Sequence, residues 1–371
     1  MTRAINSESM KENNRKQILR LIMKGEYSRA NIAKMTGLTK AAVSIITESF
    51  LQMNLVTEEP STSFSVGRRP WILSLCENRY YAVGVNISRT SYEVGIHNLV
   101  GKVLISEKKP LPDCDPDLIL EDIHDIILAQ LKAQNIAHED LLGIGVTAPG
   151  PIDYENGVIL SPPNFERWHN YELTSKMGAL FDNSFTIKLE NVSNAVALYE
   201  NYYGKQINSD NFMVVLADDT GIGAGIIVGN ALYRGATGLG GEFGHISIDI
   251  NGKQCSCGNK GCLERYAGIP EILKDTPYST WEEAIDANDT GLIEKMAHYL
   301  SAALISAINL FDINTVILMG HIGYKADVLC HLLENKINDR TITKSSVSIV
   351  ASDFNNLVGV AGSIMINDFL T

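Results

Sequence analysis

Two stretches of the chain open in the same way, and this repetition limits the available folds more than any single residue does. From Tyr80 the text YYAVGVNISRTSYEVGIHNLVGKVL alternates apolar and polar residues in two runs joined at SRTS, with a third run after Gly101. Alternation with a period of two buries one face of each run and predicts an antiparallel meander. The amphipathic stretch LILEDIHDIILAQLKAQN and the apolar run LLGIGVTAPGPID follow. From Asn211 the pattern returns. NFMVVLADDTGIGAGIIVGNALYRG reads as strand, glycine-rich turn, strand and turn, with the helix MAHYLSAALISAINLF and the strand NTVILMG further on. The expectation is an α/β body of two duplicated lobes with a ligand cleft between them.

A chain of 371 residues exceeds one compact core, so further folding units are expected beside the lobes. Hydrophobic residues make up 45% and charged residues 20%, which is ordinary globular composition. No apolar run approaches the roughly 18 residues a membrane span requires. The opening MTRAINSESMKENNRK lacks the apolar core of a secretory signal. The chain is therefore expected in the cytoplasm, without a membrane partner.

The net charge of −12 hides an asymmetry. Residues 1–75 hold eleven Lys and Arg against six Asp and Glu, whereas the remainder holds twenty against thirty-seven. A basic end on an acidic body is the balance expected of a small domain that meets phosphate. Within that end, Asn14 to Lys24 places Ile18, Leu19, Leu21 and Ile22 on one helical face, and Gly25 stops the helix. Ser28 caps a short helix with Ile32 and Met35 on its core side, and Gly37 breaks it. Thr39 caps the next helix, KAAVSIITESFLQMN.

Two helices joined by a short glycine-containing turn predict a helix-turn-helix. Ser28, Arg29, Thr39, Lys40, Ser44 and Thr47 are the side chains expected to meet base edges or phosphates of double-stranded operator DNA. The following segment, VTEEPSTSFSVGRRPWILSL, reads as a wing of two strands. At its turn, Arg68 and Arg69 suit a narrow minor groove, or alternatively salt bridges to another domain. Residues 1–75 are accordingly read as a winged helix-turn-helix domain.

Six cysteines are present, three of them within eight residues at Cys255, Cys257 and Cys262. With His245 they form H-x9-C-x-C-x4-C. Three thiolates and one imidazole make a closed tetrahedral set, the donor pattern of structural Zn2+ rather than of a catalytic ion with an open position. Gly258 and Gly261 allow the tight loop such a site needs.

The run from Gly235 to His245, GATGLGGEFGH, followed by CSCGNKGCLE from Cys255 to Glu264, resembles the ROK family of bacterial sugar kinases and sugar-responsive repressors. TAPGPID, SPPNFERW and DTGIGAGII resemble the family as well, so the likeness covers nearly all of residues 80–371. The basic head with its GRRP turn is similar to the repressor branch, most closely to xylose-operon repressors. The resemblance implies a two-lobed, duplicated actin-like sugar-kinase body of ribonuclease H-like topology over residues 76–371. Lobe 1 would span about 76–195 plus the C-terminal helix, and lobe 2 about 196–350. It implies the same four metal ligands, and a sugar held by Asn191, Glu242, His245 and Glu264, with Asn164 completing the pocket from lobe 1.

One departure bears on activity. Kinases of the family carry an Asp after the position of Asn191, where it takes the proton of the attacking hydroxyl, and this chain has Val192. Valine cannot act as a base. Arg89 stands in the first phosphate loop where the family has glycine, and His321 stands where a second glycine follows Gly320. The reading is a regulator without catalytic residues, a homodimer or higher oligomer in which a small-molecule sugar effector alters operator affinity. An active sugar kinase with a DNA-binding head, and a body that senses a phosphotransfer protein, are the alternatives.

Overall fold

The computed structural model describes residues 7–61, 69–204, 209–338, 340–342, 346–352 and 356–370. The head comprises α1 (Ser7–Lys24), α2 (Arg29–Thr36) and α3 (Lys40–Gln52). Ser28 and Thr39 are the expected caps, their hydroxyls accepting from Asn31 N and Ala42 N at 3.2 Å, and Gly37 ends α2 at φ 72°. Ile18, Leu19, Ile22, Ile32, Val43 and Phe50 form the core between the helices. Met35, expected on the core side, is 52% exposed, and Ala33 is buried instead. At 3.6 residues per turn, Met35 lies roughly 110° from the middle of the Ile32–Ala33 stripe, and so turns toward solvent. Strands β1 (Val56–Pro60) and β2 (Trp71–Leu75) pair antiparallel as the wing, from Val56 opposite Leu75 to Pro60 opposite Trp71. Arg68, at the expected wing turn, lies outside the described residues.

Lobe 1 contains β3 (Tyr81–Ile87), β4 (Ser91–Asn98), β5 (Val103–Pro110), α4 (Pro116–Gln134), β6 (Leu141–Ala148), the hairpin β7 (Ile152–Asp153) and β8 (Val158–Ile159), α5 (Leu173–Leu180) and β9 (Ile187–Asn191). The helix α6 (Val192–Tyr203) leads to lobe 2: β10 (Phe212–Asp218), β11 (Gly221–Val228), β12 (Ala231–Leu232), α7 (Glu264–Ala267), α8 (Ile269–Leu273), α9 (Trp281–Asp286), α10 (Thr290–Phe311), β13 (Thr315–Gly320), α11 (Asp327–Asn338) and β14 (Ser348–Ala351). The C-terminal helix α12 (Leu357–Leu370) closes the chain. The two five-stranded sheets run β5-β4-β3-β6-β9 and β12-β11-β10-β13-β14. In each, the first three strands in sequence form an antiparallel meander and the last two add in parallel. The duplication legible in the sequence is therefore a duplication of topology.

Helices α6 and α12 lie between the sheets. Ala195, Val196 and Tyr199 of α6 share a core with Phe212 and Val214 of β10, Ile317 of β13, and Val360 and Ile364 of α12. A boundary near residue 195 thus falls inside α6, a helix that packs against both lobes. On lobe 1, α12 approaches so closely that a Cβ on Gly84 would stand 1.9 Å from the Val358 carbonyl oxygen, and one on Gly145 would stand 2.1 Å from that of Ala361. The head is not an independent ball either. Ala82, Leu99, Tyr202, Met365 and Ile366 of the body join the head's core. Gly84→Ala forces α12 off the sheet, an overpacking cost of about 1–3 kcal/mol or more. Thermal denaturation should show Tm lowered by at least about 3 °C.

Candidate functional site

The outward face of α3 differs from the sequence expectation. Lys40, Ala41, Ile45 and Glu48 are exposed, Ser44 is half-buried, and Ile45 is 73% exposed. Thr47 is a correction: it is fully buried, and its hydroxyl donates to the Val43 carbonyl at 2.9 Å. Bonding back to the preceding turn satisfies the hydroxyl inside the core and removes it from any surface. Ser28 is corrected likewise, being buried and occupied as the α2 cap. Arg29 makes a two-pronged pair with Glu58 on the wing strand β1, at 2.8 and 2.6 Å, with Glu48 at 3.7 Å. It holds the wing to the helices, so its charge is not free for a phosphate. The exposed set is Thr39, Lys40 and Arg69, with Ser44 half-buried beside them, joined by Ile45, which the sequence reading had not singled out.

In lobe 2, His245, Cys255, Cys257 and Cys262 place their donor atoms within 4.8 Å of one another. Cys255 Sγ lies 3.7 Å from His245 Nδ1, and Cys257 Sγ lies 3.7 Å from Cys262 Sγ. A tetrahedral ion with Zn–S of about 2.3 Å and Zn–N of about 2.0 Å has edges of about 3.5–3.8 Å, so this donor set fits one. Without a cation, burial pushes the Cys262 thiol up to about 12, reinforced by the two neighbouring sulfurs. Gly258 and Gly261 hold the loop at φ 92° and 70°. Leu263, fully buried, then starts α7 with Glu264 as its first residue.

The cysteine loop thus carries two of the expected sugar contacts, His245 at its start and Glu264 just past its end. Glu242 precedes and His245 ends a single 3-10 turn, Phe243–His245, and a separation of three residues on such a turn sets their side chains on one side. Nδ1 of His245 faces the sulfurs and Nε2 is the nitrogen left over. Glu264 Oε2 accepts from Ile222 N at 3.0 Å, tying α7 to the start of β11. Asn191, at the end of β9, caps α6 by accepting from Ser193 N at 2.8 Å. From the Cβ position of Gly150, Asn191 Nδ2 is 2.6 Å away and Glu242 Oε1 is 3.9 Å away, so lobe 1 and lobe 2 groups converge there. Glu242 opens to the cleft but is hemmed in by protein, and this desolvation raises its pKa. The charge of His245 opposes the rise and that of Glu264 adds to it. Asn164 sits exposed at φ 55° and, among the described residues, makes no hydrogen bond to the other four.

The profile of the ROK family matches residues 82–368. The chain belongs to the ROK family. It is 29% identical to the xylose repressor of Bacillus subtilis (strain 168), over 97% of each chain, and 30% identical to that of Bacillus spizizenii, again over 97% of each. Identity to the N-acetylglucosamine repressor of Escherichia coli O157:H7 is 26%, over 95% of this chain and 91% of the relative. Among solved structures, a ROK family transcriptional regulator, a homologue of the E. coli MLC protein, superposes with a TM-score of 0.77. It is 25% identical and covers 97% of this chain and 96% of its own. The ROK hexokinase of Thermus thermophilus shares the body fold at TM-score 0.65 and 23% identity, over 78% of this chain and 99% of its own.

As a ROK protein the chain departs from the kinase pattern in ways the structure makes concrete. Val192 is the first residue of α6 and packs against the inter-lobe core, so no titratable group follows Asn191. Arg89 crosses the cleft: its Nε donates to the Pro163 carbonyl at 2.9 Å and its Nη1 to the Thr220 carbonyl of lobe 2 at 3.5 Å. His321 bonds Glu282 at 2.6 Å and lies 3.5 Å from Asp219. Burial alone would lower its pKa, but these carboxylates raise it. It lines a cavity of about 500 Å3 with Asn86, Thr90, Asp218, Thr220 and Lys325. The DTGIGAG glycines serve packing, because Cβ atoms on Gly223 and Gly225 would stand 2.1 and 2.2 Å from Ser193 of α6.

Sequence reasoning missed a buried ion pair that links the lobes. Glu190, 2% exposed on β9, accepts from Asn191 N at 2.9 Å and Asn194 Nδ2 at 3.0 Å, and pairs with Arg234 from beyond β12. Arg234 stacks 4.1 Å over the Tyr154 ring of lobe 1. The partners are 44 residues apart, and no motif marked either. Removing one partner leaves a buried charge uncompensated, a loss of about 3–5 kcal/mol. Arg234→Met should lower Tm by several degrees, and adding Glu190→Gln should recover part of that loss.

Proposed function

We propose that this protein is a sugar-responsive transcriptional repressor of a carbohydrate-utilisation operon. Its winged head reads double-stranded operator DNA, and a sugar bound between the lobes weakens that binding. The observation that carries the reading is Val192 beside a complete set of hydroxyl-binding groups, Asn191, Glu242, His245 and Glu264. Carboxylates accept from sugar hydroxyls, the Asn amide both donates and accepts, and the position after Asn191, where the family resemblance implies the base, holds a valine that cannot take a proton. The xylose repressors among its relatives support a repressor role and suggest a pentose effector.

Lys40, Ser44, Thr39 and Ile45 supply the major-groove face, where an apolar Ile45 suits the thymine methyl, and Arg69 supplies the wing. Arg68, in the same basic turn, is assigned the same role from sequence alone. Asn164 is proposed to join the sugar from lobe 1 when the lobes close. A homodimer would place two heads on the half-sites of a pseudo-palindrome. Sugar changes operator affinity only to the extent that it prefers one lobe arrangement. Operator binding by the full chain, measured against D-xylose, D-glucose, N-acetylglucosamine and their phosphates, should weaken with at least one of them. The same mixtures with ATP should yield no sugar-dependent ADP. Indifference to the whole panel would overturn the sensor reading, and ADP formation would favour a kinase with a DNA-binding head.

The His245, Cys255, Cys257 and Cys262 cluster is proposed to hold a structural Zn2+. The ion would neutralise three thiolates and lock the loop that presents His245 and Glu264. Metal analysis should find about one zinc per chain. Cys262→Ser should lower that content and the sugar affinity together, while operator binding without sugar stays near wild type.

A further inference from the structure

Helix α6 begins at the sugar site and ends at the head. Its cap is Asn191, whose Oδ1 holds the helix N-terminus through Ser193 N while its Nδ2 faces the cleft. One planar amide thus serves both the helix and the expected ligand, so turning it toward a hydroxyl pulls on the first turn. The helix has 12 residues, about 18 Å of rise at 1.5 Å per residue. Every residue from Ser193 to Tyr202 is buried, so α6 moves as a unit with little room to bend.

At the far end, Tyr202 Oη donates to Asn367 Oδ1 of α12 at 2.6 Å and accepts from Arg20 Nη2 of α1 at 3.0 Å. The Arg20 guanidinium also lies 5.2 Å from the Tyr202 ring centroid. Arg20 stands between Leu19 and Leu21 on α1, the helix whose Ile18, Leu19 and Ile22 build the head's core. Among the described residues, Arg20 has no carboxylate within salt-bridge distance, and its Nε is buried without a hydrogen bond. Its orientation is therefore set by Tyr202 rather than by an ion pair within the head.

We infer that Tyr202 and Arg20 are the positioning residues through which sugar at Asn191 moves the DNA-reading head, with α6 as the connecting rod. The inference rests on the sugar-responsive reading above. Phenylalanine at 202 keeps the buried ring and removes both hydrogen bonds, so it separates coupling from packing. Leucine or methionine at position 20 acts from the head side of the same contact.

The test uses full-length protein, a fluorescent operator fragment and D-xylose as the probe, with binding of each measured alone and in the presence of the other. In the wild type, D-xylose should weaken operator binding, and operator should weaken D-xylose binding by the same factor. In Tyr202→Phe and Arg20→Met, each ligand bound alone should stay within about threefold of wild type, while the coupling factor falls at least about fivefold, toward one. Undiminished coupling in both variants overturns this inference and leaves the functional reading standing. A wild type that binds operator but shows no coupling to D-xylose or to any other sugar of the panel above overturns both. Loss of coupling in Arg20→Met supports the inference even where Tyr202→Phe proves too unstable to measure.

Discussion

Three carbonyl oxygens lie where three side chains would have to be. Those of Val358 and Ala361 on α12 stand against Gly84 and Gly145 of lobe 1, and that of Ser193 on α6 stands against Gly225 of lobe 2. Contacts this short bind each helix to its sheet at backbone distance, with no side chain between to act as a cushion. Close packing of this kind is bistable rather than elastic, and small shifts pass on as rigid movements. Because α6 and α12 also share one core with β10 and β13, neither lobe can rotate without involving both helices. The same two helices meet the head through Tyr202, Met365 and Ile366. The architecture thus converts a change at the cleft into a change at the DNA-reading end.

The chemistry of the cleft follows from one loop and one strand end. The loop of one histidine and three cysteines delivers His245 and, two residues after Cys262, Glu264, while the end of β9 delivers Asn191 under the control of buried Glu190. The opposite half of the cleft has changed character. Where the family resemblance implies glycine, Arg89 spans from lobe 1 to lobe 2, and within lobe 2 His321 ties Glu282 toward Asp219. The Arg89 contacts join the two lobes, whereas those of His321 stay within lobe 2. In DTGIGAG, Gly223 and Gly225 leave room for Ser193 of α6, and Gly221 leaves room for Glu264.

Much of this was legible in the sequence where a local rule has a local cause. The caps Ser28 and Thr39, the left-handed Gly37, the meanders and the metal spacing each depend on residues close in the chain. The errors share a different origin. Thr47 reads as polar and outward, yet it satisfies its hydroxyl on the preceding turn and is buried. Ile45, which no expectation named, faces solvent. The rotational setting of α3 depends on which stripe meets α1 and the wing, and both stripes of that helix mix polar and apolar residues. Arg29 looked available to DNA because Glu58, its partner, lies on a different element.

Sequence alone determined the duplicated lobes, the basic head, the spacing of one histidine and three cysteines, and the valine after Asn191 where the family resemblance implies a carboxylate. Periodicity, charge and spacing are properties of neighbouring residues, and a missing carboxylate cannot be restored by folding. Only the tertiary structure decided which distant groups meet. Arg89 reaches Thr220 over 131 residues, Arg234 reaches Glu190 over 44, and Arg20 reaches Tyr202 over 182. Coulombic and hydrogen-bonded pairs depend on distance in space, and no one-dimensional pattern encodes that distance. The repeated strand-turn-strand opening therefore announces two lobes, while the contacts that join them to the head arise only once the chain has folded.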